Sequence, residues 1–426
     1  MIRGGNMRIK TCIIIIALLS SLPILQGREL IVGDEGYGSL GAALDSSKNG
    51  DTILIMAGVY RERLIITKSV SIVATGAATI DGGGEGSVIT VKAENVTIKG
   101  LTIADSGENL VQQDSCIFVE KDSNNTVIGD NVLSNCTFGI WINGASNVTI
   151  SGNQIKGRAY LPSPLRGNGI HLWDADNARV YANTITDSRD GIYISVSEGT
   201  ILKNNTISNL RYGVHYMYSD NCIVENIISY NNKAGLAPMF SKNLVLKGNK
   251  AWNNTQYGIL LRDVERSLIT GNIVARNGIG IFLYNSLYNE ITDTLVLEND
   301  IGAHVWAGSE KNMVFNNSFI GNKNQIKYVG VFDQEWSYNG RGNYWSDYTG
   351  WDANSDGIGD IQYRPVDLVQ RLVWKYPLIK LLMNSPSIQS IRLAESRFPV
   401  LQAPSVVDSY PLMEPWQGWR DYIEDD

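Results

Sequence analysis

His215 and Met217 stand two residues apart, and Met239 follows Met217 by 22 residues. One imidazole and two thioethers form a soft donor set, suited to Cu(I) and poorly suited to Ca or Mg. Such a set works only if the two sulfurs lie side by side, and the chain carries a repeat that would place them so. Glycines at 169, 191, 213, 235, 258, 280 and 302 recur every 22 residues, with one step of 23. Each opens a short apolar alternation such as Gly191-Ile192-Tyr193-Ile194-Ser195. A fixed period of this length marks a solenoid. Met217 and Met239 then hold equivalent places on adjacent turns, about 5 Å apart.

The elements that position them follow from the same period. The first and third residues after each glycine, from Ile170 and Leu172 to Ala303 and Val305, are mostly apolar and face inward. Eleven residues after each glycine runs a second apolar column: Val180, Leu202, Val224, Leu246, Ile269, Ile291 and Met313. Fourteen residues after stand Asn183, Asn205, Asn249, Asn272 and Asn316, with Ile227 and Thr294 as exceptions. Asn accepts the left-handed conformation of a sharp corner, and its amide can bond the amide stacked above. A turn at Gly139 fits the pattern, and an insertion at Arg158–Arg166 stretches the next step to 30 residues. The pattern predicts an all-β, right-handed parallel β-helix with rungs of about 22 residues and two or three strands each. It spans 28–340, followed by an Asp-rich loop region at 341–366 and a helical cap with a C-terminal extension at 367–426.

The second and fourth residues after each glycine point outward. Trp141, His171, Trp173, Tyr193, Phe282, Tyr284, His304 and Trp306 give that face an aromatic, partner-binding character, and the three histidines of the chain share one column on it. His171 and His304 lie too far along the axis to join His215 on one ion. A hydrolase or lyase on this fold would stack paired acids on neighbouring rungs. Here Asp174 and Asp263 with Arg262 are four rungs apart, so the face reads as non-enzymatic. The net charge of −7 and the lack of any basic run exclude nucleic-acid binding by electrostatics.

Residues 1–27 read as a signal peptide, with Arg8 and Lys10 before an apolar run from Cys12 to Leu22 and small residues near Gly27, so export of the mature chain is expected. Translation starts at Met1 or Met7. Three cysteines then remain, Cys116, Cys136 and Cys222; an odd number gives no disulfide framework, and Cys222 reads as an inert core thiol. Asp352, Asn354, Asp356 and Asp360, with Gly357, have the spacing of the front of a calcium loop, although Tyr363 stands where an EF-hand has its bidentate Glu. Asp367–Met383 and Ser385–Phe398 show helical apolar periodicity interrupted by Pro377. Leu372, Val373, Trp374, Leu378, Leu381 and Leu382 either cap the open end of the solenoid or dock a membrane partner.

Gly342–Tyr348, the Asp-rich loop and Tyr363-Arg364-Pro365 resemble a broad family of secreted β-helix proteins related to carbohydrate-active ones. A more specific likeness lies beyond them, in Asp367-Leu368-Val369, Val373-Trp374-Lys375-Tyr376-Pro377-Leu378, Asn384-Ser385-Pro386, Arg397-Phe398-Pro399-Val400-Leu401, Ala403-Pro404-Ser405-Val406-Val407-Asp408 and Tyr410-Pro411-Leu412-Met413. These segments resemble the C-terminus of the NosD family, periplasmic maturation factors of nitrous oxide reductase. The resemblance implies a non-enzymatic, extracytoplasmic subunit of an ABC-type complex that helps to assemble the reductase's copper centres. Its implied partners are the ABC permease and its ATPase, a copper chaperone and nitrous oxide reductase. The competing expectation is a secreted carbohydrate-binding or polysaccharide-modifying β-helix protein.

Overall fold

The computed structural model describes residues 27–34, 36–398, 402–418 and 420. Almost all of the expected signal peptide, Pro399–Leu401, Trp419 and residues 421–426 lie outside the described residues. The chain winds into a right-handed parallel β-helix whose three sheets hold 13, 12 and 13 strands. Each turn contributes one strand to every sheet; the turn of Tyr212–Met217 continues through Ile223–Glu225 and Ile228–Tyr230.

The inward columns form the core. Ile192 pairs with Val214 and Val214 with Leu236, all buried. The glycines owe their place to close approach, not to unusual torsions. A Cβ on Gly191 would lie 2.5 Å from the carbonyl oxygen of Gly213, and one on Gly213 would meet Gly235 in the same way. The rungs pack so tightly at this corner that no side chain fits between them.

Asn residues tie the corners. Asn153 donates through Nδ2 to Asn183 Oδ1 at 2.9 Å, and Asn183 donates likewise to Asn205 at 2.9 Å. The left-handed backbone falls one residue earlier than expected, on Ala182, Asn204, Gly248 and Gly271, while the ladder Asn itself spends its amide on the next rung. Asn316 is not in the ladder. Asn317 takes that place, bonding Asn343 at 2.8 Å, because the turn before it is one residue longer. The same extra residue reverses the parity of Met313, which is 37% exposed, and puts Val314 opposite Ile291 in the core. A second ladder, Asn254–Asn277–Asn299, recurs with the same period at the corner before the site-bearing sheet.

Cys116 and Cys136 form a disulfide, contrary to the reading of an odd cysteine count. Cys116 lies on strand Ser115–Val119, and Cys136 stands two residues before the next strand of the same sheet, Phe138–Asn143. The solenoid therefore makes them neighbours, and the leftover thiol, Cys222, is buried as expected.

Both ends of the helix are covered. Leu40, Ala43 and Leu44 of helix α1 (Leu40–Ser46) are buried at the N-terminal end. At the other end the strand Tyr344–Trp345 extends the third sheet past residue 340. Helix α2 (Leu368–Lys375), N-capped by Asp367, buries Val369 and Val373. Pro377–Leu382 forms a 3-10 turn and Pro386–Arg397 helix α3. Leu378, Leu381 and Leu382 of the 3-10 turn remain exposed, while α3 buries Ile388 and Glu395.

Candidate functional site

Strands Asp190–Ser195, Tyr212–Met217 and Ala234–Lys242 lie side by side in the 12-stranded sheet. Their register pairs Tyr193 with His215, His215 with Ala237, and Met217 with Met239. The two methionines therefore occupy directly adjacent positions on one face, with His215 two residues before Met217 on the same face. Met239 is buried among Ala237, Leu260 and the rings of Tyr212 and Phe240, and Met217 is half-buried against the same group.

His215 is held by its neighbours. Its Nδ1 lies 3.0 Å from Asp190 Oδ2, and the rings of Tyr193 and Tyr212 meet it edge-on at 4.8 and 4.9 Å. Arg211 clamps the same carboxylate, with Nε 2.8 Å from Oδ1 and Nη2 2.6 Å from Oδ2. Burial alone would raise the Asp190 carboxyl, but its hydrogen bonds from His215 and Arg211 outweigh burial and hold it below its ordinary value. An ionised carboxylate on Nδ1 fixes the neutral imidazole with its proton there and leaves the Nε2 lone pair free, the arrangement usual for a metal-binding histidine. Nε2 of His215 is buried and has no hydrogen-bond partner.

The other two histidines differ. Asn168 Nδ2 donates to His171 Nδ1 at 3.1 Å, so His171 carries its proton on Nε2. His171 stacks on Trp141 at 3.6 Å, and burial pushes its pKa down to about 3. His304 packs between Phe282 and Trp306, and burial, with a smaller effect of Lys327, pushes it down to about 4. Tyr193 separates His171 from His215, so the two do not share an ion.

The His171 shift predicts a pH dependence. Its folded pKa lies below the unfolded value, so the unfolded chain binds more protons below pH 6.5 and stability is lost as pH falls towards 3. The stability difference between wild type and His171→Gln should narrow by about 2 kcal/mol between pH 7 and pH 5. Urea midpoints of both proteins at the two pH values measure it, and parallel curves would contradict the assignment.

The aromatic face is less open than its sequence suggests. Trp141, His171 and His304 are buried because neighbouring rungs stack ring on ring. Trp173, Tyr284 and Trp306 are exposed, while Tyr193 and Phe282 are half-buried. In the Asp-rich loop the side chains staple the loop itself. Asp352 accepts from the amides of Asp356 and Gly357, Asp360 from Ala353, and Asp356 from Ile358 and Asn354 Nδ2. Among the described residues no group of three His, Cys, Asp or Glu side chains converges as a metal site.

Asp190 and Arg211 escape a reading by columns. Asp190 immediately precedes a repeat glycine, where the other rungs carry Asn168, Tyr212, Ala234, Tyr257, Ile279 and Ile301. An acid at that one position was the available signal.

Residues 151–350 match the family described as "Periplasmic copper-binding protein (NosD)", and residues 61–162 match a right-handed β-helix region. The chain is 43% identical over 373 residues to the probable ABC transporter binding protein NosD of Pseudomonas aeruginosa, covering 84% of this chain and 87% of that one. The protein of the same description from Stutzerimonas stutzeri is likewise 43% identical, covering 84% and 86%. Among solved structures, the mannuronan C-5 epimerase AlgE4 A-module of Azotobacter vinelandii superposes with a TM-score of 0.57 at 14% identity, over 68% of this chain and 92% of that one. A family 28 exopolygalacturonase of Yersinia enterocolitica gives 0.56 at 13% identity, over 71% and 78%. At such identities the structural likeness speaks for the fold alone.

Proposed function

The chain belongs to the NosD family, and from that premise we propose that it is a non-enzymatic periplasmic accessory protein handling Cu(I) as cargo for the copper centres of nitrous oxide reductase. The observation that carries this reading is His215: its Nδ1 is anchored on Asp190, its buried Nε2 is unpartnered, and Met217 and Met239 lie in register beside it. Two thioethers and a neutral imidazole offer a low-coordinate soft site. Such a site holds Cu(I) without reacting with it, as a transfer step requires.

The descriptions of the relatives support a role as the extracytoplasmic subunit of an ABC-type complex. No described helix is long and apolar enough to cross a membrane. The cap offers a surface for attachment. Tyr376, Leu378, Leu381, Leu382, Leu393 and Phe398 are exposed within one short stretch of chain, an unusual apolar density for a solvent face. We assign this surface to the permease, which with its ATPase, a copper chaperone and the reductase completes the set of partners.

The reading is tested in cells that carry the remaining assembly machinery. Leu378→Asp with Leu381→Asp alters only exposed positions, so the melting temperature should hold. Recovery of permease and ATPase with the tagged variant should fall at least about tenfold, since each buried leucine contributes roughly 1.5–3 kcal/mol. Copper in the purified reductase should fall with it. Undiminished recovery and a fully loaded reductase would refute the attachment.

A further inference from the structure

A cavity of about 500 Å³ opens beside His215 on the N-terminal side of the donor set. Its lining includes Trp141, Asn168 and His171 together with Arg166, Arg189 and Arg211. Arg166 comes from the insertion that interrupts the 22-residue period, and Leu110 and Gln113 of an earlier loop line the cavity as well.

Four residues that line this cavity each carry a buried polar atom without a hydrogen-bond partner: Trp141 Nε1, His171 Nε2, His215 Nε2 and Asn168 Oδ1. Buried polar atoms are nearly always satisfied, so several orphans on one cavity mark what its occupant must supply. Trp141 Nε1 is a fixed donor, and His171 Nε2 is a donor because Asn168 occupies Nδ1. Asn168 Oδ1 is an acceptor, and it asks for an N–H or O–H.

Charge narrows the class. Asp190 is the only carboxylate in the lining, and it is committed to Arg211 and His215. Arg166 bonds only to the carbonyls of Leu161, Asp187 and Ala159. Arg189 has no side-chain hydrogen bond or ion pair among the described residues. Two uncompensated guanidiniums and two neutral N–H donors call for an oxyanion.

The rings favour a peptide over a sugar. Trp141 and His171 spend their faces on each other, and Tyr193 meets His171 edge-on at 4.6 Å. Apart from Trp173, which is exposed, the lining therefore offers ring-edge N–H groups where sugar stacking needs open faces. We infer that the cavity binds an acidic peptide segment, its carboxylate held by Arg189, Arg166, Trp141 and His171 and a neighbouring amide N–H donating to Asn168. The volume suits one or two residues of such a segment. This inference does not depend on copper.

Copper-free protein carrying ¹⁵N only in its tryptophans is titrated with N-acetyl-glutamyl-glutamate. The indole N–H signal of Trp141, assigned by its loss in Trp141→Phe, should shift saturably, and the uncharged N-acetyl-glutaminyl-glutamine amide should leave it in place. Arg189→Gln should weaken binding about tenfold or more and Arg189→Lys much less, both with unchanged thermal melts. Inorganic phosphate and a galacturonic acid trimer serve as the competing ligands. The absence of a saturable shift, equal binding of the neutral dipeptide, tighter binding of phosphate or of the trimer, or indifference to Arg189→Gln would each overturn the inference.

Discussion

Changing His215 to Gln and both Met217 and Met239 to Leu should lower Cu(I) affinity by at least about a hundredfold, because every soft donor of the set is lost while its volume is kept. Leucine is chosen over alanine because Met239 is buried, and a cavity there would cost about 2–5 kcal/mol and confuse the result. Competition with a chromogenic Cu(I) chelator gives the number. Asp190→Asn should fall between, weakening binding about 10–100-fold, as loss of an outer-shell anchor does. A triple variant that binds Cu(I) like wild type and still supports an active reductase would dispose of the site.

The second large effect concerns the scaffold. Gly191→Ala places a Cβ 2.4 Å from Ile207 Cγ2 and 2.5 Å from the carbonyl oxygen of Gly213. Neither neighbour can retreat, because Ile207 is core and Gly213 is pinned by the rung beyond it. Overpacking of this kind costs about 1–3 kcal/mol, and backbone contact on one side puts this case at the upper end or beyond. Gly38→Ala is the control, since nothing lies within 4 Å of its new Cβ. Urea midpoints should separate the two clearly; equal midpoints would show that the rungs have more slack than the contacts allow.

The repeat made the pairing of Met217 with Met239 legible, because a period of 22 in a parallel solenoid is also a register. It made inside and outside legible for the same reason. Side-chain parity cannot tell an outward residue in water from one covered by its neighbours, so the burial of His171 and His304 was hidden. Asp190 was hidden differently: its partners Arg211 and His215 sit 21 and 25 residues away, on or beside the neighbouring strand but off the one-period alignment that the columns describe. Cys116 and Cys136, 20 residues apart, nearly matched one turn, and counting thiols obscured what spacing would have revealed. Met313 slipped because one added turn residue carries no mark in composition. The cavity wall contributed by Arg166 was beyond reach, since an insertion has no neighbour in the period to align with.

The stacking of turns also makes the molecule a gauge. Five strand steps separate Tyr212–Met217 from Asn324–Tyr328, the last strand of that sheet, on which α2 rests through Gln370 and Asn324. At about 4.8 Å per step the donors stand roughly 24 Å from that end. Their height can change only by whole turns, because a fraction of a turn would swing His215 to another sheet. Deleting one complete turn between them would lower the donors by a single increment and keep them facing the same way. The chain thus sets a stepwise distance between the place where it would be anchored and the place where it would hold its cargo.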